Sequence, residues 1–358
     1  MNKKALNADI LLLLAAVVWG FGFVAQRSGM EYIGPFAYNG IRFPLGSLTL
    51  LPFIIIRRKR STLVHASFKK LLLPSLMLGS VLFTAVMLQQ IGMIFTTAGN
   101  AGFITSLYVV ATPFFGIFLG RKTGLPTWIG SVLTLIGLYF ISFAGNPGSV
   151  NPGDILVIVS VFFWAAHVLL VDRLINTEGM TNNTIKARDN SPQGTLAPSA
   201  NLDPLDPVEL AAGQFAVCGI LSMIGAFLFE PLISPVVERI NPSLFSAGLF
   251  AWKPFPELLS ALSDGTVLIT FSALIPILYG GLCSVGIAYT LQVVAQRDAP
   301  PAHATIILCF EGCFAALGGI LLLSEKAGLF TLLGFVFMLA GMIATQWDVI
   351  IKSRNKID

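Results

Sequence analysis

The residues that most need an explanation are charged side chains inside long apolar stretches of the chain. Arg42 lies about a third of the way into one stretch, and Glu311 lies in the middle of another, about twelve residues from either end. An arginine at the centre of a membrane helix costs roughly 2.5–3.5 kcal/mol. A guanidinium binds a carboxylate through two parallel hydrogen bonds, and burial favours the neutral form of a carboxyl group. Arg42 is therefore a candidate carboxylate anchor and Glu311 a candidate proton-coupling group.

Both charges also have structural alternatives. Arg42 could contact helix ends or extend outward to the membrane surface. Glu311 could belong to a structural ion pair, with Arg42 itself as one candidate partner.

Other polar and aromatic residues share these apolar stretches, and several recur at corresponding places in the two halves of the chain. We expect them to line one central cavity, whose predicted members are Trp19, Arg42, Gln89, Tyr108, Trp164, His167, Gln214, Gln292 and Glu311. The alternatives are interhelical hydrogen bonds for the amides, worth about 0.6 kcal/mol on average, a hydrogen-bonded core position for His167, and packing or lipid contact for the aromatic rings.

The composition of the chain places these residues in a membrane. The 358 residues are 55% hydrophobic and 11% charged, with mean hydropathy +0.81, whereas a soluble domain carries about 25% charged residues. The segments 71–120, 123–153 and 265–296 contain no Asp, Glu, Lys or Arg. A membrane helix needs about 20 mostly apolar residues, so each segment can hold one or two spans, and a soluble or disordered protein is excluded.

Ten membrane helices account for the apolar stretches, because strand-like alternation is not visible and a helix satisfies its own backbone in lipid. The predicted spans are 10–29, 34–56, 71–91, 97–119, 127–144, 154–171, 208–229, 267–290, 300–323 and 329–347. With the N-terminus inside, 17 basic residues fall in inner segments, four fall in outer segments and Arg42 lies within a span. This bias predicts a multi-pass protein of the cell membrane, plasma or inner, with both termini cytoplasmic.

The two halves of the chain repeat each other in order. The matched pairs include Trp19 with Trp164, Arg42 with Gln214, Gln89 with Gln292 and Tyr108 with Glu311. Five spans in each half make the second half enter the membrane in the opposite sense, which predicts an all-α integral membrane protein built from two inverted five-helix repeats, as in secondary transporters. The predicted units are residues 1–148 and 149–358, with insertions in the second at about 179–207 and 230–265.

The two insertions receive different predictions. Residues 179–207 are rich in Asn, Asp, Pro and Ser and are expected to form a flexible inner loop. Within the outer insertion, Pro256–Asp264 is typical of a short amphipathic helix on the membrane surface, and an ordinary extracellular loop is the equal alternative.

Several local motifs resemble a known family. They are Trp19-Gly-Phe-Gly-Phe-Val in span one, Arg42-Phe43 in span two, Gly102 to Pro113 in span four, Ala288 to Gln296 in span eight, and Glu311 with Leu323-Ser-Glu325 in span nine. In this order the chain resembles the EamA-type branch of the drug/metabolite transporter superfamily. Gly312 stands where that family often has a proline after the glutamate. The resemblance implies export of amino acids, metabolites or drugs.

The sequence therefore predicts a secondary-active transporter, with export as the expected direction, that carries small metabolites by alternating access around the central cavity. The alternatives are a lipid-intermediate flippase of the same superfamily, a receptor or scaffold without transport, and a membrane enzyme. No catalytic constellation, metal site, cofactor site or G-x-x-x-x-G-K-[ST] sequence occurs in the chain, so we expect no enzyme activity and no cofactor. The expected partners are a small-molecule substrate, the lipid bilayer and protons as a candidate coupling ion, with no nucleic acid, and the expected state is a monomer or weak dimer.

Overall fold

The computed structural model of the chain is all-α over the residues it describes, which are 3–30, 32–60, 68–118, 124–140, 151–189, 205–240, 271–299, 301–325 and 328–354. No strand occurs in those ranges. Within them, seven helical segments are long and apolar enough to cross a membrane, and shorter apolar helices occupy Leu125–Gly137, Phe310–Leu322 and Leu329–Gly341. The prediction of an all-α membrane protein is confirmed, and a count of ten spans depends on these three shorter helices.

The helices follow the predicted spans closely. In the first half they are α1 Lys3–Gly29, α2 Pro35–Arg60, α3 Phe68–Gly92, α4 Ala98–Thr105, α5 Tyr108–Phe118 and α6 Leu125–Tyr139. In the second half they are α7 Pro152–Asp189, α8 Pro207–Leu228, α9 Glu230–Ile240, α10 Phe271–Leu278, α11 Thr290–Ala295, α12 Pro301–Leu308, α13 Phe310–Leu322 and α14 Leu329–Arg354. Packing joins the halves, since α2 lies against α8, α3 against α7 and α8, α1 against α13, and α6 against α14.

Spans four and nine are broken at corresponding places. Span four is interrupted between α4 and α5 at Ser106, and span nine between α12 and α13 at Cys309, 203 residues later. The Ser106 hydroxyl donates to the Cys309 carbonyl at 3.0 Å, and the Cys309 thiol donates to the Ser106 carbonyl at 3.0 Å. Each break therefore satisfies backbone groups of the other, as a membrane interior requires. The break in span nine forms with Gly312, not proline, after the glutamate.

Span eight contains a different irregularity. Between α10 and α11 the segment Tyr279–Tyr289 is a π-helix of 11 residues. The indole nitrogen of Trp19 donates to the Ser284 carbonyl in this segment at 3.0 Å, and the Tyr279 hydroxyl donates to the Val18 carbonyl at 3.0 Å. Wide π-turns are frequent at functional sites, and this one lies against the middle of α1.

One predicted loop is partly wrong. Helix α7 continues to Asp189, so the first part of the 179–207 segment is helical. Extending an existing helix adds a hydrogen bond for each residue ordered, which is easier than starting a new one. Residues 190–204 lie outside the described part of the chain, and so does the predicted amphipathic helix Pro256–Asp264.

Candidate functional site

A small cavity lies where spans one, two, three, four, six, eight and nine meet. Its volume is about 40 Å³, which is room for roughly three water molecules at about 10–15 Å³ each. It is lined by residues from both halves: Trp19, Phe23, Gln26, Arg42, Gln89, Thr105, Tyr108, Trp164, Val168, Ser284, Tyr289, Gln292, Leu308 and Glu311.

The structure brings seven of the nine predicted site residues together around this cavity: Trp19, Arg42, Gln89, Tyr108, Trp164, Gln292 and Glu311. The other two, His167 and Gln214, are fully buried outside the lining, with His167 Nε2 and Gln214 Oε1 2.7 Å apart. One hydrogen bond joins these two side chains, as expected of an interhelical polar contact, while His167 Nδ1 and Gln214 Nε2 meet no partner among the described residues.

Half of the lining was missed by the sequence reasoning. Gln26 carried the same signal as Gln89, an amide in an apolar span, and could have been included. Thr105, which accepts a hydrogen bond from Gln89 at 2.8 Å, and the π-helix residues Ser284 and Tyr289 carried no such signal, because hydroxyl and aromatic residues are common in membrane helices.

Arg42 is held among aromatic rings. Its side chain is 2% exposed, and the guanidinium carbon lies 4.9 Å from the centre of the Phe43 ring and 5.3 Å from that of Tyr38. Such positions stabilise a cation through the ring quadrupole. No acidic side chain of the described residues lies within ion-pair distance of it, and its Nε meets no hydrogen-bond acceptor.

Glu311 lies one residue past the start of α13, beside the break in span nine. Its carboxyl group is 4% exposed and within hydrogen-bonding reach of the Tyr108 hydroxyl, the matching residue of the first repeat. Its Oε1 has no hydrogen-bond partner among the described residues. Within the described residues Glu311 forms no ion pair with Arg42, so the two opposite charges share one cavity without neutralising each other directly.

Aromatic rings form one wall of the cavity around Tyr289. The Tyr289 ring centre lies 4.6 Å from that of Trp19, which it meets edge-on, and 6.1 Å from that of Trp164, which it faces. The hydrogen bond from Trp19 to the π-helix fixes the orientation of its indole. This wall offers apolar ring faces beside the two charges.

Five lining residues have buried polar atoms that form no hydrogen bond within the described part of the chain. They are Gln26 Oε1, Arg42 Nε, Trp164 Nε1, Gln292 Oε1 and Glu311 Oε1. Because buried polar atoms are nearly always hydrogen-bonded, this set of donors and acceptors suits a polar ligand or water. Among the described residues no group of three or more His, Cys, Asp or Glu could hold a metal ion.

A helical bundle whose halves meet at broken helices around a polar cavity is an architecture of membrane transporters. The family model for the EamA-like transporter family matches residues 6–143 and 194–346. The chain belongs to that family, and it is a multi-pass membrane protein of the transporter class.

Curated relatives carry the same general description. An uncharacterized transporter of Archaeoglobus fulgidus is 33% identical over 169 residues, 47% of this chain and 50% of that protein. The uncharacterized inner membrane transporter YedA of Escherichia coli K12 is 23% identical over 64% of this chain and 73% of its own length. The uncharacterized transporter YoaV of Bacillus subtilis is 21% identical over 97% of this chain and 98% of its own length. The chain thus spans about half the length of the first of these relatives.

A solved crystal structure shares the fold. It aligns with a TM-score of 0.60 at 14% identity and covers 95% of this chain and 96% of the other.

Proposed function

We propose that the protein is a secondary-active transporter that exports small metabolites, such as amino acids or drugs, by alternating access around the central cavity. The observation that carries this proposal is the presence of Arg42 and Glu311 in one buried cavity without an ion pair between them. Two uncompensated opposite charges are costly in an apolar bundle. A ligand that satisfies both offsets that cost.

The chemistry of the lining favours a substrate with a carboxylate and a cationic group. Arg42 would bind the carboxylate, Glu311 would bind an ammonium group or exchange a proton, and the wall around Tyr289 would contact an apolar side chain. Amino acids are the simplest molecules with all three features. The small volume supports alternating access, because a cavity with room for about three waters must widen to admit an amino acid.

The test is transport by the purified protein in lipid vesicles, with a panel of amino acids and cationic drugs, with and without a pH gradient. We expect Arg42→Gln to raise the substrate KM by roughly 10–100-fold, the loss of a charged hydrogen bond of about 1.5–3 kcal/mol. We expect Glu311→Gln to keep the protein folded and to abolish the effect of the pH gradient, because glutamine keeps the size but does not titrate.

Matched controls come from an ion pair remote from the cavity. Arg58 and Glu209 form a salt bridge at 2.7 Å, so Arg58→Gln and Glu209→Gln remove the same charges elsewhere and should transport like the wild type. Normal transport by Glu311→Gln at every pH would contradict the proton role. Failure of Glu311→Gln to fold, with rescue by Arg42→Gln, would instead assign both residues to structure.

The proposed orientation places both termini in the cytoplasm, as the distribution of basic residues favours. Single cysteines in the segments 61–67 and 190–204 should be protected from an impermeant thiol reagent in intact cells, and one near Trp252 should react. Labelling of the first two segments from outside would reverse the orientation.

A further inference from the structure

Two glutamates of the second half cap helices of the first half at the same end of the bundle, called here the Glu325 end. Glu325 Oε1 accepts the Ala98 amide at 2.8 Å and Oε2 accepts the Gly99 amide at 3.2 Å, at the start of α4. Thr97 accepts the next amide, that of Asn100, at 3.0 Å. The free amides of a helix start attract a carboxylate, and here the carboxylate comes from across the repeat boundary.

Glu230 caps the start of α2 in the same way. Its Oε1 accepts the amides of Phe36 and Ala37, both at 3.1 Å, directly after Pro35, which has no amide hydrogen to donate. The Glu230 side chain is buried. Both capped helices lead to the cavity, since α2 carries Arg42 and α4 ends at Thr105.

The backbone that presents Glu325 is strained. Ser324, at the end of α13, has a φ of 55° and is the one non-glycine residue with positive φ among the described residues. A left-handed conformation costs a non-glycine residue about 1–2 kcal/mol. It turns the chain so that the Glu325 amide bonds the Gly319 carbonyl at 3.0 Å while the side chain reaches α4. Strain of this kind collects at switch positions.

Helices α1 and α4 pack closely against α13 beside the cavity. A side-chain carbon at Gly20 of α1 would lie 2.2 Å from Phe314 Cβ, and one at Gly102 of α4 would lie 2.4 Å from Ala315 Cβ, both on α13. Every residue of α4 except Asn100 is buried. Helices α1 and α4 of the first half are therefore in close contact with α13 of the second half, so a relative movement of the halves must separate these surfaces.

We propose that Glu230 and Glu325 are positioning residues of a gate at the Glu325 end, whose two helix caps hold the halves closed and must both release for the cavity to open there. The proposal rests on the proposed transport function, because a gate has a role only if the cavity exchanges its contents. Each cap joins a side chain of one half to backbone of the other, so a relative movement of the halves breaks both caps without unfolding a helix.

The gate is tested by cavity access, with no substrate required. The reporter is Ser284→Cys, a cavity-lining position, in a chain whose four native cysteines are replaced, Cys309 by serine to keep a donor to the Ser106 carbonyl and the other three by alanine. An impermeant thiol reagent is applied separately to right-side-out and inside-out membranes. We expect Glu230→Ala and Glu325→Ala to raise the labelling rate by on the order of tenfold from one membrane face only, with Glu325→Gln intermediate and the control Arg58→Gln unchanged at that face.

Ser324→Gly provides the opposite change. Relief of the left-handed strain favours the closed arrangement, so the labelling rate at the same face should fall several-fold. A general loosening of the bundle would raise the labelling rate, so it cannot explain a decrease. If the alanine variants fail to fold, the Ser324→Gly measurement alone tests the gate. The amides of Phe36, Ala37, Ala98 and Gly99 should also exchange hydrogen faster in the alanine variants.

Two results would overturn the gate. One is unchanged labelling from both faces in Glu230→Ala/Glu325→Ala together with unchanged labelling in Ser324→Gly. The other is an equal rise from both faces. Vesicle transport by the wild type separates the two proposals. If the wild type transports but the variants show no change in labelling, the gate is wrong and the proposed function stands. If labelling changes as expected but the wild type does not transport, the gate stands and the proposed function is wrong.

Discussion

The two ends of the bundle are both tied across the repeat boundary, but by different interactions. At the Glu325 end, the buried Glu230 carboxyl group and the partly buried Glu325 carboxyl group accept backbone amides. At the opposite end, called here the Arg58 end, Arg57 pairs with Asp206 at 3.0 Å and Arg58 with Glu209 at 2.7 Å, and the two arginine side chains are 52% and 45% exposed. Ion pairs of exposed side chains are screened by salt, although Arg58 also holds the buried Glu209 carboxylate through two hydrogen bonds of 2.7 and 2.8 Å. The difference indicates that the interactions at the Arg58 end depend more on salt than those at the Glu325 end.

The largest expected effect removes the ties at the Glu325 end. Glu230→Ala/Glu325→Ala should lower the free energy of unfolding by roughly 3–6 kcal/mol, because each cap contains charged hydrogen bonds of about 1.5–3 kcal/mol. The measurement is unfolding of the purified protein by a denaturing detergent. A loss no greater than that of Arg57→Ala/Arg58→Ala would erase the difference between the ends.

An intermediate effect is expected from pH. Burial raises the pKa of Glu230 from 4.5 to about 7, against the opposing effect of the Ala37 and Phe36 amides, and no charged side chain contributes. If opening exposes Glu230 to water, its pKa falls towards the ordinary value, so the closed form binds the proton more tightly. Low pH then favours the closed form. This stabilisation of the closed form is fully present below about pH 4.5 and is lost as the pH rises through about 7.

The corresponding measurement is the labelling rate at Ser284→Cys as a function of pH, divided by the rate in a Glu230→Gln background to cancel the reactivity of the thiol. The ratio should rise between about pH 5 and 8. A flat ratio would show that Glu230 does not titrate between the open and closed forms.

The smallest effect is expected at the Arg58 end. Arg57→Ala should cost about 1 kcal/mol or less, and the cost should shrink at high salt, because the Arg57 side chain is half exposed. Unfolding measured at low and high salt checks this. A larger cost that does not depend on salt would show that the interactions at the two ends contribute similarly to the free energy of unfolding.

The fold was largely predictable because the membrane restricts a chain to few structures. Uncharged apolar segments such as 71–120 indicated helices, whereas the inversion expected from five spans in each half stays a prediction. The breaks at Ser106 and Cys309 and the π-helix of span eight were not predictable, since they depend on contacts between distant segments and leave no mark in local composition.

The site residues that could be predicted are those whose charged side chains are energetically costly in lipid. Arg42 and Glu311 were found in this way, and the structure places both at one cavity, although their role in binding stays a prediction. Repeat equivalence alone was a weaker guide, because His167 and Gln214 pair with each other outside the lining. Glu230 and Glu325 gave no signal, since acidic residues next to predicted spans are ordinary and only the fold brings them to the starts of α2 and α4.

The reciprocal bonds between Ser106 and Cys309 have a consequence for stoichiometry. They place Ser106 and Cys309, which the predicted repeat matches, side by side, as a local two-fold axis between the predicted repeats would. If the protein were an assembly of two identical halves, each residue beside the axis would occur twice. A carboxyl group at that position would then lie next to a second, identical carboxyl group. Fusion of the halves into one chain allows the two copies to differ, and here one is the phenol of Tyr108 and the other the carboxyl of Glu311. Among the described residues this crossing therefore carries one acidic side chain, and under the proposed function it would exchange at most one proton in a transport cycle.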